Sequence, residues 1–275
     1  MANDFTGDPN CICLMNFDIA DEDNPSTGWW YDSSGNAQNF SGNQAVEPNT
    51  VDYQQGDASC AFVCDGVYQV GDYLSRADAD LSADWPLKST FAGTVKFSYC
   101  AWFRPGLLPT ATANDTQRSL LGKYNFSSGE RCIGLSEVWD GTKAILRFAK
   151  GWNSGASSEL TSHTRALVSG QWYHIGLTYD DTDHGMVMRL WDETAGTVYE
   201  VTDTHSNSME PDASNEALMI GNQQITAAQY YEFDGLMDEV VFFDDELTSD
   251  EIDEIRLGTY GASTASPQMI RVGPF

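Results

Sequence analysis

The feature that most constrains this chain is how short its apolar segments are. Runs at residues 11–17, 61–63, 67–70, 95–103, 119–123, 132–138, 144–148, 172–179, 187–191, 198–201, 217–220 and 236–243 alternate with polar turns rich in Gly, Asn, Asp and Ser. Few reach the length of a helix, which needs roughly 10–12 residues, so the pattern predicts strands separated by turns. More than ten strands at this spacing imply an all-β, two-sheet antiparallel β-sandwich. In FSYCAWF, Phe97, Tyr99, Ala101 and Phe103 share one face, while Ser98, Cys100 and Trp102 share the other. Both faces are apolar enough to place this strand centrally.

One segment breaks the strand pattern. LTSDEIDEIRLG predicts a short C-terminal helix, with Thr248 as N-cap, Glu251 completing a capping box and Gly258 as the stop. The expected organisation is one domain over residues 1–257 and a tail or docking arm over 258–275, where Met269, Ile270, Val272 and Phe275 form a small apolar patch.

Charge narrows the partners. The 14 Lys and Arg residues against 41 Asp and Glu give a formal charge of −27, which repels phosphate backbones and anionic lipid. Nucleic acid and membrane insertion are therefore not expected, and no stretch approaches the ~20 apolar residues of a span. The start MANDFTGDPN has neither a basic region nor an apolar one, so no Sec signal is expected in this chain. The six cysteines (Cys11, Cys13, Cys60, Cys64, Cys100, Cys132) form no CxxC pair and are read as buried thiols rather than disulfides.

Four segments in order resemble the laminin-G-like family of concanavalin A-like lectin/glucanase folds. LMNFDIADEDNPSTGWWYDSSGNAQNF looks like the opening strand and its D-x-S-G-N loop (Asp32, Ser34, Gly35, Asn36). FSYCAWFRP is similar to the central strand. QWYHIGLTYDD resembles the W-x-H-x-x-x-T-Y-D strand (Trp172, His174, Thr178, Tyr179, Asp180). FDGLMDEVVFFDDELTSDEIDEI resembles the closing strand and helix (Gly235, Asp238, Glu239, Val240). The resemblance implies a jelly roll of two curved sheets, a fold that hosts lectins, adhesion modules, structural domains and glycosidases alike.

The sequence offers no catalytic constellation. Laminarinase-like enzymes of this fold carry E-x-D-x-E on a strand, whereas the E-x-D here, Glu251-Ile252-Asp253, lies on the expected helix and reads as a solvated face. The four histidines have no nucleophile context, and His174 reads as a packed, hydrogen-bonded core histidine. The expected class is thus a non-catalytic module that binds a glycan or protein on a cell or virion surface, such as a phage decoration, tail or fibre component. The alternatives are a structural subunit that forms homo-oligomers through terminal arms, and a glycosidase or lyase with an atypical site.

Two candidate sites follow. Sugar recognition favours an aromatic platform beside amides and carboxylates, which points to Trp29, Trp30, Tyr31, Asp32 and Asn36, with Trp152 as a second loop tryptophan; the competing role for such a Trp is to plug a sandwich end. The family resemblance implies a structural calcium held by Asp18, the carbonyl of Gly66 and Asp238. The alternative for Asp238 is a hydrogen bond to nearby backbone.

Overall fold

The computed structural model describes residues 3–18, 22–23, 28–43, 46–64, 71–112, 115–126, 128–152, 157–226 and 229–261. The strands in chain order begin with β1 (Cys11–Met15), β2 (Glu22–Asp23), β3 (Trp29–Trp30), β4 (Phe40–Asn43), β5 (Glu47–Asn49), β6 (Ser59–Phe62) and β7 (Tyr73–Arg76). They continue with β8 (Lys96–Pro105), β9 (Gln117–Asn125), β10 (Glu130–Trp139), β11 (Ala144–Trp152), β12 (Ser157–Ser162), β13 (Tyr173–Asp180) and β14 (Gly185–Asp192). The last are β15 (Thr197–Thr204), β16 (Leu218–Ile220), β17 (Gln224–Thr226), β18 (Gln229–Tyr230) and β19 (Gly235–Phe243), followed by helix α1 (Ser249–Leu257).

These strands build the expected two-sheet sandwich. The first sheet has eight strands, in the order β15, β14, β13, β8, β19, β6, β5, with β1 also paired to β19. The second has eleven, in the order β12, β11, β10, β9, β16, β7, β4, β3, β2, and the β17–β18 hairpin attaches to β9. As its two apolar faces require, β8 is interior, lying between β13 and β19. One face of each sheet supplies the core, with Phe97, Tyr99 and Phe103 from β8 meeting Leu121, Leu135 and Phe148 from β9, β10 and β11.

Helix α1 covers the outer face of the first sheet. Thr248 and Glu251 form the capping box, and Gly258 adopts the left-handed conformation (φ 69°) that stops the helix, both as the sequence predicts. Ile252 and Ile255 pack with Cys100, Val241 and Phe243 in a second apolar layer. Phe5 and Tyr260 stack at 5.3 Å in that layer, and the Asp4 N–H donates to the Tyr260 carbonyl. Residues 259–261 therefore pack with the domain, while the apolar patch at Met269, Ile270, Val272 and Phe275 lies outside the described residues. None of the six cysteines is in a disulfide, and all but Cys64 are buried.

Several expectations change in detail. Between residues 21 and 49, where the sequence shows no apolar run, the short strands β2 to β5 extend both sheets at their edges. His174 is packed as expected, edge-on to Trp102 at 5.2 Å, but its Nε2 has no hydrogen-bond partner among the described residues. Burial pushes its pKa down to about 3, so it stays neutral. The E-x-D segment is structural: Glu251 caps the helix, and Asp253 binds Arg189 at 2.6 Å.

Candidate functional site

The sequence-predicted residues occupy the edge of the second sheet. Trp29 is 45% exposed on β3, beside a cavity of about 460 Å³ that also involves Ser41, Ser75 and Arg76. Trp30 points the other way, as strand alternation requires, and is a core residue packed edge-on against Phe17 at 5.5 Å. Tyr31 is exposed. Asp32 is buried and serves the backbone: its Oδ1 accepts from the N–H groups of Leu14 and Ser34, and its Oδ2 from that of Gln38. Asn36 donates to the Cys11 carbonyl at 2.8 Å. The D-x-S-G-N loop thus satisfies the side of β1 that faces away from β19. Trp152 ends β11 instead of standing in a loop, and six strand spacings separate β11 from β3, about 29 Å at ~4.8 Å each. The structure therefore does not bring Trp152 to the Trp29 cluster.

The calcium candidates converge on one loop. Asp18 Oδ1 accepts from the Asp57 N–H at 2.6 Å, and Asp238 Oδ2 accepts from the N–H groups of Gln54 and Gln55 at 2.8 and 2.9 Å. Asp238 thus makes the backbone hydrogen bonds of the alternative reading, while its Oδ1 is buried with no partner among the described residues. Burial raises the Asp238 carboxyl to about 8, against the pull of those N–H donors. Gly66 lies outside the described residues. Among the described residues, no three His, Cys, Asp or Glu stand together to hold a metal.

Sheet register reveals a more developed site. An unbroken row of paired residues crosses the outer face of the second sheet: Trp29, Ser41, Ser75, Met219, Gly122, Gly134, Ala149 and Leu160. Paired residues share a face, so the whole row points away from the core. The turn into β17 lies across its middle. A Cβ on Gly122 would come within 2.8 Å of the Asn222 carbonyl, and one on Gly134 within 2.7 Å of Gln223 Oε1. Glycine at both positions lets this turn lie flat on the sheet.

Between that turn and the β12 edge is a cleft of about 360 Å³. Gly134, Ser136 and Ala149 form its floor, Gln223 and Tyr231 one wall, and Ser158 and Leu160 the other. Gln117 and Arg147 also line it, as do Tyr124, Phe126 and Arg131. The polar groups are organised in advance. Arg147 Nη2 donates to Gln117 Oε1 at 3.0 Å, and Gln117 Nε2 donates to Ser136 Oγ at 3.0 Å. Gln223 Oε1 accepts from Ser119 Oγ at 3.3 Å and Ser136 Oγ at 3.4 Å. Amides, hydroxyls and a guanidinium therefore meet on a shallow floor flanked by tyrosine and phenylalanine rings, a lining suited to a hydroxyl-rich ligand.

Another cavity, of about 640 Å³, lies over the first sheet and is lined in part by Trp102, Trp191, Glu193 and Arg256. Within it the Arg256 guanidinium covers the Trp191 ring at 4.1 Å, and Trp191 Nε1 donates to Glu193 at 2.6 Å. Sequence reading missed the cleft on the second sheet because its residues are every second position of ordinary strands. The available signals were Arg147, the lone charge in the apolar run AILRFA, and the glycines of β9 and β10.

Comparison with known proteins agrees with this architecture. A laminin-G family model, described as the concanavalin A-like lectin/glucanases superfamily, matches residues 77–253. A search of curated proteins finds no match. Among solved structures, the chain is similar to HCR/D-Sa-GBL1/C (TM-score 0.60, 10% identity, 92% of this chain and 52% of that one). It is also similar to the binding domain of botulinum neurotoxin serotype D/C VPI 5993 (TM-score 0.56, 9% identity, 92% and 53%). A third similarity is to tailspike protein 2 of the Escherichia coli O157:H7 bacteriophage CAB120 (TM-score 0.53, 14% identity, 81% and 27%). The chain spans about half the length of the first two structures and about a quarter of the third. At these identities the likeness is one of fold. With the family match covering more than half of its length, the chain belongs to the concanavalin A-like lectin/glucanases superfamily.

Proposed function

We propose that this chain is a non-catalytic carbohydrate-binding module, working outside a cell or on a virion, and that its ligand lies in the cleft over β9 to β12. The observation that carries this reading is the lining: amide, hydroxyl and guanidinium groups held in one hydrogen-bonded network beside aromatic rings. A glycosidase would need two carboxyl groups about 5–9.5 Å apart across the sugar bond. The described lining residues of the cleft include no Asp or Glu, which favours binding over turnover. Structural neighbours named as a toxin binding domain and a phage tailspike are consistent with a role at a surface. Calcium at Asp238 and Asp18 belongs to the same proposal, supported by the open Asp238 Oδ1.

The test is a glycan array, run with and without a calcium chelator alongside light scattering, on the wild type and on Ala149→Phe. A phenylalanine at this outward-facing floor position fills the cleft without touching the core. The expected result is glycan binding that falls at least about 10-fold in the variant, a loss of roughly 1.4 kcal/mol. A defined oligomer that binds no glycan, or release of sugar products from polysaccharide, overturns the proposal.

A further inference from the structure

The charge of the cleft bears on which sugars it takes. Among the described residues, at least eight Lys and Arg side chains form ion pairs: Lys96, Arg104, Arg118, Lys123, Lys150, Arg165, Arg189 and Arg256. Arg147 forms none among the described residues. Its Nη2 binds the amide oxygen of Gln117, a neutral partner, on a chain that carries 41 acidic residues. Arg131 lines the same cleft, with its guanidinium 4.4 Å from the centroid of the exposed Phe126 ring. Two guanidiniums therefore line a cleft whose described lining residues include no acid.

This arrangement has a physical consequence. Burial without a nearby carboxylate lowers the Arg147 pKa, so its charge is held in a poorly solvated place that an incoming anion would stabilise. The rigid guanidinium fork also matches the paired oxygens of a carboxylate or sulfate. Because the net charge of −27 opposes the approach of any anion, affinity for one has to come from local contacts like these.

We propose that the cleft selects an anionic sugar, with Arg147 receiving its carboxylate or sulfate oxygens and Arg131 lining the same acid-free surface. This inference rests on the carbohydrate-binding reading and names the ligand class for that site.

The test is calorimetric titration with a panel of acidic glycans, each beside its neutral counterpart: oligogalacturonate and its methyl ester, sialyllactose and lactose, and a sulfated galactan and its desulfated form. Carboxylated and sulfated probes separate the two sources of charge. The expected result is a preference of at least about 10-fold for one acidic member over its neutral partner. Gln117→Glu keeps the side-chain shape but places a carboxylate where Arg147 now meets an amide, so the preference should collapse about 10-fold or more. Arg147→Lys, which keeps the charge and loses the fork, should reduce it as well. Equal binding of acidic and neutral partners, or an intact preference in Gln117→Glu, overturns the anionic inference and leaves carbohydrate binding standing. A protein that binds no member of the panel or of the wider array overturns both.

Discussion

A carboxylate in a turn-rich loop can serve a ligand or the backbone, and at Asp32 the backbone takes both oxygens. Three N–H groups, from Leu14, Ser34 and Gln38, converge on a side chain that is itself buried. Replacing it with Ala leaves those donors without their acceptor, and hydrogen bonds to charged groups are each worth about 1.5–3 kcal/mol. Because the three are not additive, Asp32→Ala should destabilise the fold by about 2–4 kcal/mol, with Asp32→Asn costing less because it keeps an acceptor oxygen. Thermal or urea unfolding reads this directly. A variant with unchanged stability and lost glycan binding would return Asp32 to the ligand site. Trp30 follows the same logic, since strand alternation turns it into the core and leaves its neighbour Trp29 on the surface.

At the scale of elements, the helix–sheet contact is the most sharply defined. A Cβ at Gly176 on β13 would come within 2.5 Å of Ile252 Cγ2 on α1, closer than real side chains approach. Gly176→Ala should therefore cost about 1–3 kcal/mol through overpacking. Ile252→Ala alone should also destabilise, because it opens a cavity beneath the helix. In the double variant the two losses should sum to at least about 1 kcal/mol less than expected from the singles, and strict additivity in a double-mutant cycle would show that the two do not meet. This helix was fully legible in the sequence, because its cap, capping box and glycine stop are local signals within eleven residues, Thr248 to Gly258. The long strands were legible for the same reason. The cleft was not, because it depends on register: Gly122, Gly134 and Ala149 become neighbours only when β9, β10 and β11 pair. The short edge strands β3 and β4 likewise owe their structure to pairing with each other and with β7 rather than to their own residues.

Across the whole molecule, the excess of acid makes pH a lever on stability. Glu137 is fully buried on β10 with neither carboxyl oxygen hydrogen-bonded among the described residues, and burial pushes its pKa well above the usual carboxylate range despite the pull of Arg118. Burial also raises Asp244 and Glu246. For such groups the folded state binds the proton more tightly than the unfolded chain does. The stability they contribute is complete below about pH 4 and is lost as pH rises through the folded pKa. Glu159 works in the opposite sense. Its burial is outweighed by hydrogen bonds from Lys150, the Ser206 N–H and Asn207, which hold it at about 2. Its contribution is present above about pH 4 and lost as pH falls towards 2. The two sets therefore act in opposite directions: the raised carboxyls cost stability as pH climbs, and Glu159 costs it in strong acid. Glu137→Gln isolates the first set, since an amide has no proton to lose. Whatever the substitution costs at pH 5, the stability difference should move in favour of the variant by pH 9. Denaturant unfolding of both proteins at the two pH values measures this shift, and parallel pH profiles would mean that Glu137 is already ionised in the fold.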